Sequence, residues 1–153
     1  MKKRLSKSDI KDLNSTLENE FGLESFYSKK DIVELEDSTY ILKNGQLHFF
    51  YHEQRLFPSL KLLLKQEFLK RIIVDMGAVR FVANGADIMR PGVTQADEDI
   101  KEDECVVIIE ETHHKPLAVG ISLYGGKELL AMNTGKVIRT IHYVGDAIWN
   151  HDE

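Results

Sequence analysis

Residues 74–93, VDMGAVRFVANGADIMRPGV, constrain this chain more than any other stretch, because they ask one short segment for a helix, a left-handed exit and a strand in succession. Asp75 is placed to cap a helix whose apolar positions are Ala78, Val79, Phe81 and Val82, and Asn84-Gly85 can leave that helix through the left-handed region. Ala86-Asp87-Ile88-Met89 then resumes as a strand, and Pro91-Gly92 beside Arg90 marks a second abrupt turn. The expected product is a tight corner almost free of side chains.

Downstream, residues 105–109, 117–123 and 137–144 are rich in Val and Ile, and glycines fall between them at Gly125-Gly126 and Gly135. Short strands at this spacing predict a closed or nearly closed barrel, which removes exposed sheet edges. Upstream, Ser6-x-x-Asp9 resembles a capping box, and Ile10, Leu13, Leu17 and Phe21 follow at helical spacing before Gly22. Strands are expected over 32–35, 40–42 and 47–51, with Asn44-Gly45 the hairpin signal, and Ser59 is placed to cap a helix over 60–69. Residues 71–75 read as a short, stiff junction. The expectation is an α+β chain of two domains: a small N-terminal α/β unit over 1–73 and a β barrel over 74–153.

Charge is unevenly spread. Residues 1–73 hold 13 Lys and Arg against 11 Asp and Glu, whereas 74–153 hold 7 against 14, eight of them between Asp97 and Glu111. A net charge of -5 argues against a generic nucleic-acid coat. Arg80, Arg90, Lys127, Lys136 and Arg139 nevertheless lie near the glycine corners, so a local basic face is expected beside a solvated acidic loop. No run of about 18 apolar residues is present, and the basic start leads into a polar amphipathic stretch, which predicts a cytoplasmic protein with no membrane partner.

Beyond these landmarks, the pattern G-A-x-x-x-V-x-x-G-A-D-I-M-x-P-G-V, the runs Pro116-Leu117-Ala118-Val119-Gly120 and Gly135-Lys136-Val137, and the tail HYVGDAIW from His142 to Trp149 resemble the PUA domain, an RNA-binding module. With the N-terminal unit, the Asn-Gly hairpin and the Phe57-Pro58-Ser59 helix start, the whole chain is similar to the malignant-T-cell-amplified family of translation factors and its archaeal relatives, and to the N-terminal part of ligatin-type initiation factors. The resemblance implies a pre-PUA domain followed by a PUA pseudo-barrel. It implies structured RNA, tRNA or rRNA, as partner, with the small ribosomal subunit and a translation-factor protein as further partners. DNA is not expected.

Glycines let phosphates and base edges approach backbone N–H groups, which makes Asn84, Gly85, Ala86, Arg90, Pro91 and Gly92 a candidate RNA surface, with Arg80 one turn earlier. The alternative is that the glycines serve only their turns, and the resemblance favours the functional reading. The resemblance also places the last long strand beside this corner. Lys136 and Arg139 are then candidates for phosphate contact, and His142 or Tyr143 for stacking and hydrogen bonding. Trp149 is expected in the core or closing the bottom of the barrel.

No catalytic residue, metal or cofactor is expected. His48 and His52 stand at i and i+4, but on an expected strand and without a third ligand. His113-His114 reads as an exposed turn, Glu110-Glu111 as a solvated charge run, and Cys105 as a buried strand thiol. The chain therefore reads as a non-enzymatic RNA-binding protein of translation, acting on tRNA and the small subunit in initiation or recycling. An accessory subunit for tRNA or rRNA modification uses the same surface. A small-molecule-binding protein or enzyme on a PUA-like barrel is the alternative from another class.

Overall fold

The computed structural model describes residues 1–151, which form two units, Met1–Phe68 and Leu69–His151. In the first unit a five-stranded antiparallel sheet runs β1 (Lys2–Arg4), β2 (Val33–Glu36), β3 (Tyr40–Lys43), β4 (Gln46–His52), β5 (Arg55–Pro58) in spatial order, with helices α1 (Lys7–Phe21) and α2 (Leu60–Lys65). The capping box at α1 is complete: the Asp9 amide donates to Ser6 Oγ and the Ser6 amide to Asp9 Oδ2, each at 3.1 Å. Gly22 ends the helix at φ +69°. Ile10, Leu13 and Leu17 drive that helix into Val33, Ile41 and Phe49 of the sheet.

Asn44 and Gly45 both take positive φ, as a two-residue hairpin with right-handed strand twist demands. Glu53 and Gln54 do the same without a glycine, and so hide the β4–β5 hairpin from sequence. Two further elements differ from expectation. The basic residues Lys2–Arg4 form edge strand β1, paired to the acidic Glu34 and Glu36 of β2. Helix α2 stops at Lys65 instead of reaching residue 69, because Phe68 turns into the aromatic core against Phe21 and Phe49.

The second unit is a six-stranded, nearly closed barrel: β6 (Lys70–Val74), β7 (Ile88–Met89), β8 (Val93–Ala96), β9 (Cys105–Glu110), β10 (Pro116–Ser122) and β11 (Lys136–Tyr143), in the order β7-β11-β10-β9-β6-β8. Helices α3 (Met76–Val82) and α4 (Gly126–Ala131) flank it. Its core is branched and aliphatic: Ile72, Val74, Val106, Ile108, Val137 and Ile138 are buried with Leu129 of α4. The division between units falls at Phe68/Leu69, because the expected junction over 71–75 is largely β6, which pairs in parallel with β9 and antiparallel with β8. Of the domain expected over 74–153, residues 152 and 153 lie outside the described residues.

The acidic block is anchored at several points. Asp97 Oδ2 accepts from the Arg71 amide, Glu104 pairs with Lys70 at 3.3 Å, and Ile100 is buried with its carbonyl bonded to the Gly126 amide. Glu110, expected as part of a solvated run, is instead buried at the end of β9, where its carboxylate accepts from the His113 and His114 amides and holds their exposed turn. Cys105 is buried in β9.

Candidate nucleic-acid interface

Asp75 caps α3 as the sequence predicts, accepting from the Ala78 amide at 2.9 Å. The chain leaves the helix through Ala83, Asn84 and Gly85, and the Asn84 amide group donates back to the Arg80 carbonyl at 3.0 Å. Gly85 sits at φ +82° with the Tyr143 ring directly over it, so that a Cβ there would lie 2.6 Å from Tyr143 Cε1. The glycine therefore serves both a left-handed turn and a tight ring contact. The half-buried Tyr143 closes the corner from β11.

Next comes a corner rather than the expected four-residue strand. Ala86 and Asp87 are irregular, and only Ile88 and Met89 pair, against Ile138 and Lys136 of β11. Asp87 is the hub. Its carboxylate accepts from Lys136 Nζ and from the Thr140 amide, each at 2.9 Å, while Thr140 Oγ1 donates to the Ala86 carbonyl. Partial burial would raise the Asp87 pKa, but these bonds and the charges of Lys136 and Arg139 outweigh it and hold the group below its ordinary value. Asp87 is thus an anion that organises two cations at the surface. Because the Lys136 side chain is half exposed, its ion pair is screened and readily shared with an incoming phosphate.

Between α3 and the β7 corner lies a cleft of about 610 Å³, floored by Ala78, Val82 and Ile88 and walled by Phe81, Met89 and Pro91. Phe81 is 53% exposed and Met89 49%. The Arg80 guanidinium stands over the Phe81 ring at 4.8 Å, presenting a flat cation and aromatic edge to solvent. Asp75 and Asp87 also line the cleft. An apolar slot with carboxylates repels phosphate and suits the face of a base and its N–H donors, whereas the cations outside it suit the backbone.

The structure brings Arg80, Asn84, Gly85, Ala86, Pro91, Gly92, Lys136, Arg139 and Tyr143 into or around this region, and turns two expected contacts inward. Arg90 donates from Nη1 to the Val93 carbonyl at 2.9 Å and from Nη2 to the Leu130 carbonyl at 3.1 Å, with Nε buried. His142 is 0% exposed and its Nδ1 meets the Asp146 carboxylate at 2.9 Å. Both residues are braces. Phe81, Met89, Asp87 and Thr140 were absent from the expected site; the signal was an aromatic one position past Arg80 on a helix too short to bury both faces.

Asp146 collects the terminal turn, accepting from His142 and from the Tyr143 and Trp149 amides. Burial pulls its pKa upward, yet these donors outweigh burial and leave it depressed. A depressed carboxyl contributes stability that is full above its unfolded pKa, about 3.9, and is lost as pH falls through the lower folded value. The thermal midpoint should therefore fall as pH drops below about 4, and less steeply in Asp146→Asn; identical slopes would contradict this role.

The PUA domain model matches residues 70–144, and a Domain of unknown function (DUF1947) matches 2–66. Translation machinery-associated protein 20 of Saccharomyces cerevisiae is 36% identical over 80% of this chain and 72% of its own. Malignant T-cell-amplified sequence 1-A of Xenopus laevis is 34% identical over 96% and 89%. The crystal structure of hypothetical protein PH0734.1 from Pyrococcus horikoshii superposes at a TM-score of 0.84 with 36% identity, covering 100% of both chains.

Proposed function

The chain belongs to the PUA-domain family that includes Translation machinery-associated protein 20 and Malignant T-cell-amplified sequence 1-A, and on that premise we propose that it is a non-enzymatic RNA-binding protein acting in translation. The observation that carries the reading is the join between the apolar cleft and the cations beside it. An unpaired base enters between Phe81 and Met89, its N–H edge toward Asp87, while flanking phosphates lie on Lys136, Arg139 and Arg80. Single-stranded ends and loops offer such bases, whereas a regular A-form duplex does not. The acceptor end of tRNA on the small ribosomal subunit, during initiation or recycling, is the target this reading assigns.

Backbone contact makes affinity salt-dependent and sequence preference weak. Phe81→Ala is the direct test. Stacking on an aromatic contributes about 1–3 kcal/mol per base, so affinity for a single-stranded RNA end should fall about tenfold or more. The ring is exposed, so the unfolding midpoint should stay near wild type. Unchanged RNA affinity in this variant would reject the cleft as the base site.

A further inference from the structure

We propose that the cleft around His48, in the first unit, binds a phosphate group. It is a concavity of about 430 Å³ to which Tyr27, Lys43, His48, Lys65 and Gln66 contribute, and a neighbouring depression of about 260 Å³ shares His48 and Lys65 with it. Tyr27 is buried, and burial foremost, with the nearby Asp31 charge, raises its pKa so that it stays a phenol. Its oxygen lies 2.7 Å from His48 Nδ1. The phenol donates to Nδ1, since a buried hydroxyl must place its proton. That bond fixes the tautomer and leaves Nε2–H as the outward donor.

His48 is also neutral. Burial first, then the positive charges of Lys43 and Lys65, lowers its pKa to about 4. Two carboxylates stand against these two ammonium groups, Glu24 in the lining and Asp31 at 4.0 Å from Lys43 Nζ, while Lys65 Nζ donates to Gln46 Oε1 at 3.1 Å. The formal charges balance, yet the charges acting on His48 itself are those of the two ammonium groups, so its fixed N–H donor stands with two cations, the three drawn from β3, β4 and α2. A tetrahedral anion can reach donors in three directions, whereas a planar carboxylate offers two oxygens in one plane. Phosphate fits this set better.

The source is either a free phosphate or the backbone of a polynucleotide, and one experiment separates them. In the full chain at pH 7 and constant ionic strength, inorganic phosphate and a short oligoribonucleotide are titrated separately while the His48 ring resonances, assigned with His48→Gln, are followed by NMR. The expected result is a saturable shift, weakened about tenfold in Lys43→Gln/Lys65→Gln, and a rise in the His48 pKa of about one pH unit at saturation. Lys136→Glu, in the other unit, should leave this titration unchanged, which keeps it independent of the proposed RNA face. A response to phosphate alone assigns a free ligand, and a response only to the oligonucleotide assigns a backbone. Stationary His48 signals with both, or equal affinity in the double variant, would overturn the proposal.

Discussion

Arg90→Glu is expected to unfold the second unit rather than merely weaken a binding face, lowering its stability by about 3–5 kcal/mol. The guanidinium ties the turn after β7 to the start of β8 and to the end of α4 through the Val93 and Leu130 carbonyls. Removing it strands two acceptors. Putting a carboxylate in its place sets an anion against two carbonyl oxygens and away from water. The sequence alone suggests the opposite outcome, an Arg at an exposed corner that can be reversed without structural cost. Denaturant unfolding followed by fluorescence of Trp149, the one tryptophan, reads the effect in this unit. A midpoint close to wild type would remove the brace role from Arg90.

The second large effect is expected at Gly126. This residue opens α4 while lying against the backbone of the acidic block, and a Cβ there would collide with the Asp97 carbonyl oxygen and stand 2.9 Å from the Glu98 carbonyl carbon. Backbone cannot step aside as a side-chain tip can. The Gly126 amide also donates to the Ile100 carbonyl, so any retreat of the helix breaks a bond at buried Ile100. Gly126→Ala should therefore cost about 2–3 kcal/mol, against the usual gain when alanine replaces glycine in a helix. Stability equal to or above wild type would show that the acidic block moves freely and is not seated on α4.

These two residues mark where sequence stops being legible. Caps and turns were readable because their partners are local: Ser6 with Asp9, Asp75 with Ala78, Ser59 with Leu62, and the Asn44-Gly45 pair. The barrel strands were readable from their Val and Ile runs. Strand β1 was not, since three basic residues carry no apolar alternation, although Lys2 and Arg4 lie in register with Glu36 and Glu34 of β2. Strand β5 followed a turn whose left-handed residues, Glu53 and Gln54, give no glycine signal.

The site divides the same way. Lys136 and Arg80 were identifiable from charge beside a glycine corner. Arg90 and His142 were misjudged because burial is set by tertiary structure: Leu130 lies forty residues from Arg90, and His142, although its partner Asp146 is only four residues on, is fully buried on β11. Phe81 was read only as one of the apolar positions of α3. Only Val82 of that helix is buried, which leaves Phe81 to line the cleft.

RNA binding is assigned to one surface, and its most direct measurement is binding of the purified chain to small ribosomal subunits and to bulk tRNA at two salt concentrations, wild type against Lys136→Glu. Lys136 is half exposed and its ion pair is screened, so this variant should remain folded while placing a third carboxylate beside the cleft. The expected result is salt-sensitive binding by wild type and a loss of at least about tenfold in the variant, in line with reversing one phosphate contact. Equal affinity of the two folded proteins at both salt concentrations would contradict the assignment of this face to RNA.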